Sequence, residues 1–340
     1  MKLVSYLNNG HDQLALLVDG FLYNMDSLHP ELPGSIGMFL TYWDEAFAQA
    51  AVVEKAIKEK RFLQNRGIPY DEVQLLSPVA FPNSLRDAFA FRRHVETIQK
   101  NKGAEMLPSF DQYPVFCFSN HHSVQGAGEV RCMPDHLVQL DFALEAAVVI
   151  CRHGRNISAE HADEYIGGLM IMNNLNARAL QGTETLWGPA AAKGKDFATA
   201  LGPVLVTLDE LEAFEIPAKE NHIGKSWNMP MKCRVNDIEI CNGNLGDMDW
   251  TFAEIIESAS YGADLVPGDV ISSGTVGTGC FLELNGTGRN NDPNYTEQWL
   301  REDDTIALEI AGLGLLHNNI VAEEDSRSIL QHKKSLSRHV

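Results

Sequence analysis

Residues 140–150 read LDFALEAAVVI, an apolar segment that carries two acidic residues. In a β-strand, alternate side chains point to opposite faces, so Asp141, Ala143 and Glu145 would share the face opposite the apolar residues. A carboxylate buried on such a strand is costly unless it is paired or binds a cation. An exposed strand face with solvated carboxylates is the alternative, and this segment by itself favours neither.

Two neighbouring segments read as helices with polar faces. Pro82-Asn83-Ser84 is a plausible cap before LRDAFAFRRHVETIQK, in which Asp87 and His94 would lie on one face, about 10 Å apart. In IMNNLNARALQ, Asn174, Arg178 and Gln181 would share a face if the segment is helical. Arg and Gln side chains there would suit a carboxylate or a developing oxyanion. An ordinary polar surface helix is the alternative.

Two further segments carry polar residues near glycines. GPAAAKGKDFATALGPVLV contains Lys195 and Thr199, although a lone lysine at such a place is usually on the surface. SSGTVGTGCFLELNG contains Thr275 and Glu283, and its glycines would allow the backbone to approach a ligand closely. The glycine spacing is not that of a phosphate-binding loop.

The composition excludes several kinds of partner. The 340 residues include 27 Lys and Arg against 46 Asp and Glu, a formal net charge of -19, which disfavours nucleic acid and anionic membranes. A small anionic substrate remains compatible with a few local cations. No run of about 18 apolar residues occurs, and the N-terminus lacks the apolar stretch of a signal peptide. The six scattered cysteines are typical of reduced thiols in a cytoplasmic protein.

The periodicity along the chain predicts an α+β fold that is mainly β. Residues 3–28 read as short antiparallel strands, 42–65 as a helix ended by Gly67 and Pro69, and 158–165 as a short helix. From residue 76, short apolar segments broken by Gly, Pro and Asn indicate strands. We therefore expect a small N-terminal domain over 1–75, a larger and mainly β domain over 76–322 and a polar tail over 323–340.

Seven motifs occur in a characteristic order: DAFAFRRHV, SNHHSVQG, LDFALEAAVVI, GGLMIMNNLNARALQ, AKGKDFATALGP, VPGDVISSGTVGTG and FLEL. This succession over about 76–320 resembles the fumarylacetoacetate hydrolase family, in particular its fumarylacetoacetase-like branch. The resemblance implies a mixed β-roll, a homodimer, and a reaction on a β-dicarbonyl or 2-oxo acid substrate. It also implies Mg²⁺ or Ca²⁺ bound by four carboxylates.

The resemblance implies roles for individual residues, which divide into catalytic, substrate-binding and metal positions. The catalytic residues would be His94 as the base that activates water, Glu283 as its partner, and Arg178, Gln181 and Lys195 around the substrate oxygens. Thr275 and Phe89 would contact the substrate. The metal positions would be Asp87, Glu145, Asn174 and Thr199. Two carboxylates of the family pattern are missing, because they fall on Ala143 and Asn174, so metal binding should be weak or absent.

Three functions follow from these departures. The first is a hydrolase that cleaves a C–C bond with weak help from a metal. The second is a metal-independent cyclase, tautomerase or decarboxylase acting on a β-dicarbonyl. The third is a non-catalytic binding protein on the same scaffold. The presence of all five catalytic residues argues against it, because a pure scaffold does not need them: His94, Arg178, Gln181, Lys195 and Glu283.

Overall fold

The computed structural model describes residues 1–60, 67–187 and 192–331. Up to residue 137, the strands are β1 (Lys2–Asn8), β2 (His11–Val18), β3 (Phe21–Asn24), β4 (Ile68–Pro69), β5 (Gln74–Leu75), β6 (Leu85–Ala88), β7 (Phe116–Ser119), β8 (Val124–Gln125) and β9 (Gly128–Cys132). The helices of this half are α1 (Met25–Leu28), α2 (Ile36–Thr41), α3 (Trp43–Lys58), α4 (Arg92–Asn101) and α5 (Pro134–Leu137).

The second half is also mainly strands. They are β10 (Leu140–Asp141), β11 (Leu144–Ile150), β12 (Gly154–Arg155), β13 (Ile166–Asn174), β14 (Asn176–Ala177), β15 (Thr199–Val206), β16 (Glu215–Ile216), β17 (Ser226–Trp227), β18 (Pro230–Val235), β19 (Ile238–Asn244), β20 (Asp264–Leu265), β21 (Val270–Ser272), β22 (Thr305–Ile310) and β23 (Gly314–Ala322). The helices are α6 (Ala159–Ala162), α7 (Arg178–Glu184), α8 (Phe252–Ser260) and α9 (Phe281–Asn291).

Two large sheets form the centre of the molecule. One has twelve strands in the order β4-β3-β2-β1-β15-β13-β11-β21-β6-β7, with β5 beside β1 and β8 beside β15. The other has the order β19-β18-β22-β23-β9, and β23 contacts β15 of the first sheet. Most pairs are antiparallel, but β6 runs parallel to β21. The fold is therefore α+β and mainly β, as the sequence predicts.

Strand β11 lies at the heart of the larger sheet and is buried on both faces. Leu144, Ala146 and Val148 belong to one hydrophobic core, and Ala147 and Val149 to another. The second core also contains the apolar face of α3, which covers the N-terminal strands. The predicted alternation is confirmed within β11, but LDFALEAAVVI is not one strand, because Leu140–Asp141 form β10 and pair with β14. The alternative of a solvated face is wrong, because Asp141 and Glu145 are 0% and 1% exposed.

Three local predictions agree with the structure. Of the strands predicted over 3–28, residues 3–24 form β1 to β3, whereas Met25–Leu28 is helix α1. The helix predicted over 42–65 is present as α3, but it ends at Lys58, before Gly67 and Pro69, and 61–66 lie outside the described residues. The predicted helix at 158–165 is α6 followed by a 3-10 turn. All six cysteines are free thiols, five of them buried. In the described part of the chain, no helix is both long and apolar enough to cross a membrane.

Two predicted helices are partly wrong. Leu85–Ala88 is strand β6, paired with β21 and β7, and the helix begins only at Arg92. Asn174 ends strand β13, and helix α7 begins at Arg178. In both cases the ladders on either side of the strand satisfy the backbone groups that a helix would otherwise pair internally. Asp87 and His94 therefore share no helical face, and Asn174 lies outside the helix on which Arg178 and Gln181 remain neighbours.

The boundary predicted at residue 75 lies within one continuous sheet. Strand β1 pairs with β15, and the N-terminal amine donates hydrogen bonds to Thr207 Oγ1 (2.6 Å) and Asp209 Oδ2 (2.8 Å). At the other end, Ser328 and Ile329 donate to the Asp135 carboxylate, at 2.7 Å each. Residues 332–340 of the predicted tail lie outside the described residues. The division into three segments stays a prediction.

Candidate active site

A cleft of about 660 Å³ opens where several elements of the larger sheet end. Eight of its lining residues were predicted from the sequence: Asp87, Phe89, His94, Asn174, Arg178, Gln181, Lys195 and Thr275. Strand β6, α4, β13, α7 and the segments before β15 and after β21 each contribute at least one of them. Tertiary structure thus brings together residues that are nearly two hundred positions apart.

His94 and Glu283 form a dyad at one side of the cleft. His94 Nδ1 lies 2.6 Å from Glu283 Oε2, and the Thr278 backbone N–H donates to the same oxygen at 2.9 Å. Asn101 donates to the Glu283 carbonyl at 3.0 Å, which ties α4 to α9. Glu283 is nearly inaccessible, whereas His94 reaches the cleft. The predicted pairing of these two residues is present.

Arg178 is held by a carboxylate for which the sequence suggested no role. Its Nε donates to Asp141 Oδ2 at 2.8 Å, and its Nη1 donates to Gln181 Oε1 at 2.9 Å. Asp141 also accepts the backbone N–H groups of Phe281 (2.7 Å) and Leu282 (3.1 Å) at the start of α9. This one carboxylate therefore positions both Arg178 and the helix that carries Glu283. The signal for it was its place on an apolar strand, where a carboxylate needs a partner.

Lys195 and Asn174 surround two buried carboxylates. The Lys195 ammonium lies 2.6 Å from Asp87 Oδ2. The Asn174 amide nitrogen donates to Asp87 Oδ2 at 2.8 Å and to Glu145 Oε1 at 3.3 Å. Lys195 is thus part of a buried ion pair, not the surface residue that a lone lysine usually is.

Ser272 joins the same two carboxylates from the other side. Its Oγ lies 2.6 Å from Glu145 Oε2 and 3.2 Å from Asp87 Oδ1, and Thr275 Oγ1 donates to Glu145 Oε1 at 3.3 Å. A hydroxyl carries one proton, so both Ser272 contacts are hydrogen bonds when one of the carboxyl groups is protonated. Sequence reasoning missed Ser272, which nothing distinguishes within the run of small residues in SSGTVGTG.

Burial and neighbouring charge shift the pKa values of two groups in this cluster. Burial, and then the charge of Asp87, raise the pKa of Glu145 to about 8. Burial lowers the pKa of Lys195, but the charge and hydrogen bond of Asp87 together with the nearby Cys117 and Glu145 outweigh it, so the lysine pKa lies above its ordinary value. The raised pKa of Glu145 favours a proton on its carboxyl group at neutral pH.

This arrangement does not fit a hard divalent cation. Such ions need several converging oxygens and negative charge, but N–H donors of Lys195 and Asn174 occupy the approach to Asp87 and Glu145. Ala143 offers no ligand atom. Thr199 is buried beside Asn174 in the β13–β15 ladder but has no side-chain hydrogen bond to the cluster.

A different trio of ligand atoms occurs at the dyad. Among the described residues, His94, Cys280 and Glu283 form a group whose ligand atoms lie within 4.8 Å of one another. Burial raises the pKa of the Cys280 thiol far above its ordinary value, so without a bound cation the thiol is protonated at neutral pH.

Comparison with known proteins agrees with the motif order. The fumarylacetoacetate (FAA) hydrolase C-terminal model matches residues 84–321. A fumarylacetoacetase of Oryza sativa subsp. japonica is 27% identical over 326 residues, covering 80% of this chain and 75% of its own. The human oxaloacetate tautomerase FAHD2A, mitochondrial, is 26% identical over 305 residues, covering 89% and 84%.

Solved structures show the same fold. A fumarylacetoacetate hydrolase from psychrophilic Exiguobacterium antarcticum matches with a TM-score of 0.68 at 22% identity, covering 95% of this chain and 100% of its own. A maleylpyruvate hydrolase from Sphingobium sp. SYK-6, in complex with manganese (II) ion and pyruvate, matches with a TM-score of 0.67 at 17% identity and the same coverage. With its family model matched over most of its length, this chain belongs to the fumarylacetoacetate hydrolase family.

Proposed function

We propose that this protein hydrolyses a C–C bond in an enolisable β-dicarbonyl or 2-oxo acid substrate. The observation that carries the proposal is the His94–Glu283 pair, 2.6 Å apart, in one cleft with the cations of Lys195 and Arg178. A base and cationic donors for an oxyanion are what such a hydrolysis requires. The relatives include a fumarylacetoacetase and an oxaloacetate tautomerase, both of which are enzymes. This supports an enzymatic function for the present chain.

His94 would take a proton from water while Glu283 stabilises the imidazolium. The hydroxide attacks one carbonyl carbon, and Arg178, Gln181 and Lys195 donate hydrogen bonds to the developing oxyanion. The C–C bond then breaks to give a carboxylic acid and an enolate. His94 returns its proton to the enolate carbon, which completes the balance. Thr275 and Phe89 would contact the remainder of the substrate, since both line the cleft.

Mg²⁺ or Ca²⁺ would bind only weakly at Asp87, Glu145, Asn174 and Thr199, because this chain lacks two carboxylates of the family pattern. Because cation binding would be weak, the proposed reaction depends only on side chains of this chain. We also propose a cytoplasmic homodimer, on the strength of the family resemblance. Light scattering at micromolar concentration tests the dimer, and a uniform monomer would contradict it.

Tautomerisation of an oxo acid is the second candidate. The Lys195 ammonium can stabilise an enolate without any water being consumed, and His94 can move the proton between oxygen and carbon. Relatives named oxaloacetate tautomerase, such as the Bacillus subtilis protein YisK at 27% identity, favour this candidate. The two reactions differ in whether oxygen from water enters the product.

Both candidates are tested by turnover of acylpyruvates and oxaloacetate in labelled water. Hydrolysis places one ¹⁸O in the acid product, whereas tautomerisation in D₂O places only deuterium on carbon. His94→Gln should lower kcat by about 10²- to 10⁴-fold, and Glu283→Gln by less, since the base remains. His153→Gln is the matched control, because that histidine is exposed and lies outside the cleft. Near-full turnover by His94→Gln would contradict the proposal that His94 is the catalytic base.

A further inference from the structure

A turn beside the dyad contains a threonine in an unfavourable backbone conformation. The Gly279 N–H donates to the Val276 carbonyl at 2.8 Å, which closes a turn of four residues. Thr278, the third residue of this turn, has φ +69°. Glycine or asparagine normally takes a positive φ at this position, and for a β-branched residue it is a genuine outlier. Such strain persists only where the surrounding structure holds it, and it clusters at functional sites.

The Thr278 side chain makes a contact that glycine could not make. Its Oγ1 donates to Cys241 Sγ on β19 at 3.4 Å, and the Cys241 thiol in turn donates to the Gly277 carbonyl at 3.8 Å. Burial raises the pKa of this thiol to about 11, so at neutral pH it keeps the proton that it donates. Cys241 is 1% exposed. It therefore contacts both the side chain and the backbone of the turn from within the core.

The backbone of the turn is held from another side by β11. The Val276 N–H donates to the Leu144 carbonyl at 3.1 Å, and the Leu144 N–H donates to the Gly279 carbonyl at 3.0 Å. Leu144 begins β11 of the larger sheet, whereas Cys241 lies on β19 of the other sheet. The turn is thus attached to both sheets, and the hydroxyl of Thr278 is part of one of the two attachments.

We propose that Thr278 is a positioning residue for the His94–Glu283 dyad. The contact of its hydroxyl with Cys241 holds the turn in the strained conformation in which the Thr278 N–H donates to Glu283 Oε2, at 2.9 Å. The same oxygen lies 2.6 Å from His94 Nδ1. With Nδ1 as the donor to Glu283, Nε2 keeps the lone pair that a base needs. The proposal rests on the proposed function, since it concerns how the base of that reaction is oriented.

The first measurement is the proton NMR signal of the His94 Nδ1–H group in the full chain without substrate. A proton in a 2.6 Å bond to a carboxylate should give a low-field resonance, which His94→Gln identifies by removing it. Thr278→Val keeps the branched shape but lacks the hydroxyl, whereas Thr278→Ser keeps the hydroxyl. Exchange of this proton with solvent should become about ten-fold faster in Thr278→Val, the equivalent of one lost hydrogen bond, and should stay near the parent rate in Thr278→Ser.

The second measurement is turnover of oxaloacetate and acetylpyruvate. In Thr278→Val and Thr278→Gly, kcat should fall by about 10- to 100-fold with little change in KM, because the base is misaligned while the substrate contacts remain. Thr278→Ser should retain most of the parent kcat. Asp303→Gly is the matched control and should leave kcat unchanged, because Asp303 has the same φ of +69° but is exposed and lies outside the cleft.

Three results would overturn the proposal. They are a low-field resonance that exchanges equally slowly in Thr278→Val and the parent, the absence of that resonance from the parent, and equal losses of kcat in Thr278→Ser and Thr278→Val. In the last case the hydroxyl would not be the cause. The resonance is measured without substrate, so slow exchange that depends on the hydroxyl would support the proposal even if neither compound were turned over. That combination would contradict the proposed function alone.

Discussion

Ala143 and Asn174 set the charge of the cleft. The two residues are adjacent in the β11–β13 region, where the Asn174 N–H donates to the Ala143 carbonyl at 3.1 Å. With no acidic side chain at either, the cluster contains only Asp87 and Glu145, and one lysine nearly balances it. A neutral amide and a methyl group thus replace two charges on which a hard cation would depend.

Restoring both carboxylates should create a cation site. Ala143→Glu with Asn174→Asp should give measurable Mn²⁺ or Mg²⁺ binding and a metal-dependent rise in Tm, because binding stabilises the folded state by mass action. Without metal, the double variant should be less stable than the parent, since clustered carboxylates repel one another. Calorimetry and thermal unfolding with and without metal provide the measurement.

Asn173→Asp is the control for this experiment, since it adds a charge on the same strand but outside the cleft. It should lose stability without gaining a metal-dependent Tm rise. Micromolar metal binding by the parent protein would contradict the view that the site does not fit a cation.

The backbone of the segment after β21 packs directly against the backbone of strand β6 at a glycine. Gly274 has φ +76°, and a Cβ at this position would lie 2.1 Å from the Ala88 carbonyl oxygen. The expectation that this glycine admits a ligand is wrong, because the space beside it is filled by the backbone of β6. The contact holds Asp87, which precedes Ala88, near Thr275, which follows Gly274.

Gly274→Ala should therefore destabilise the protein by more than about 2 kcal/mol, the sum of backbone strain and a steric clash that the neighbouring backbone cannot relieve. Turnover should fall as well, since Asp87 and Thr275, which this contact holds near each other, both line the cleft. Gly20→Ala is the matched control: its φ is +81°, but nothing lies within 4 Å of the added carbon. It should cost only about 1 kcal/mol. If chemical denaturation gave the same loss of unfolding free energy for Gly274→Ala and Gly20→Ala, the steric clash would not be the cause of the destabilisation.

The whole molecule is organised around one sheet that runs through its N-terminal and central segments. Strand β1 is hydrogen-bonded to β2 on one side and β15 on the other, and α3 packs its apolar face on the same core. Removing residues 1–75 would leave the edge of β15 unpaired and this core uncovered.

A variant that begins at residue 76 should therefore lose cooperative unfolding, or unfold at a much lower denaturant concentration than the full chain. Circular dichroism during urea titration measures this. A truncated protein that keeps the midpoint of the full chain would instead support an independent N-terminal domain.

The sequence by itself determined the strands with clear alternation, the helix α3, and eight of the residues that line the cleft. LDFALEAAVVI alternates because each face of β11 meets a different core, and that pattern is local enough to read directly. The site residues could be named because their motifs occur in a recognisable order, not because their spacing showed any contact.

Only the tertiary structure decided how those residues are placed. Asp87 lies on a strand because β21 and β7 pair with that segment, a long-range choice that overrides its helical spacing. Asp141 gains a role from Arg178 and α9, and the Asn174 nitrogen and the Lys195 ammonium both contact Asp87 Oδ2. These outcomes depend on charges and hydrogen bonds between residues far apart in the chain, which local periodicity does not contain.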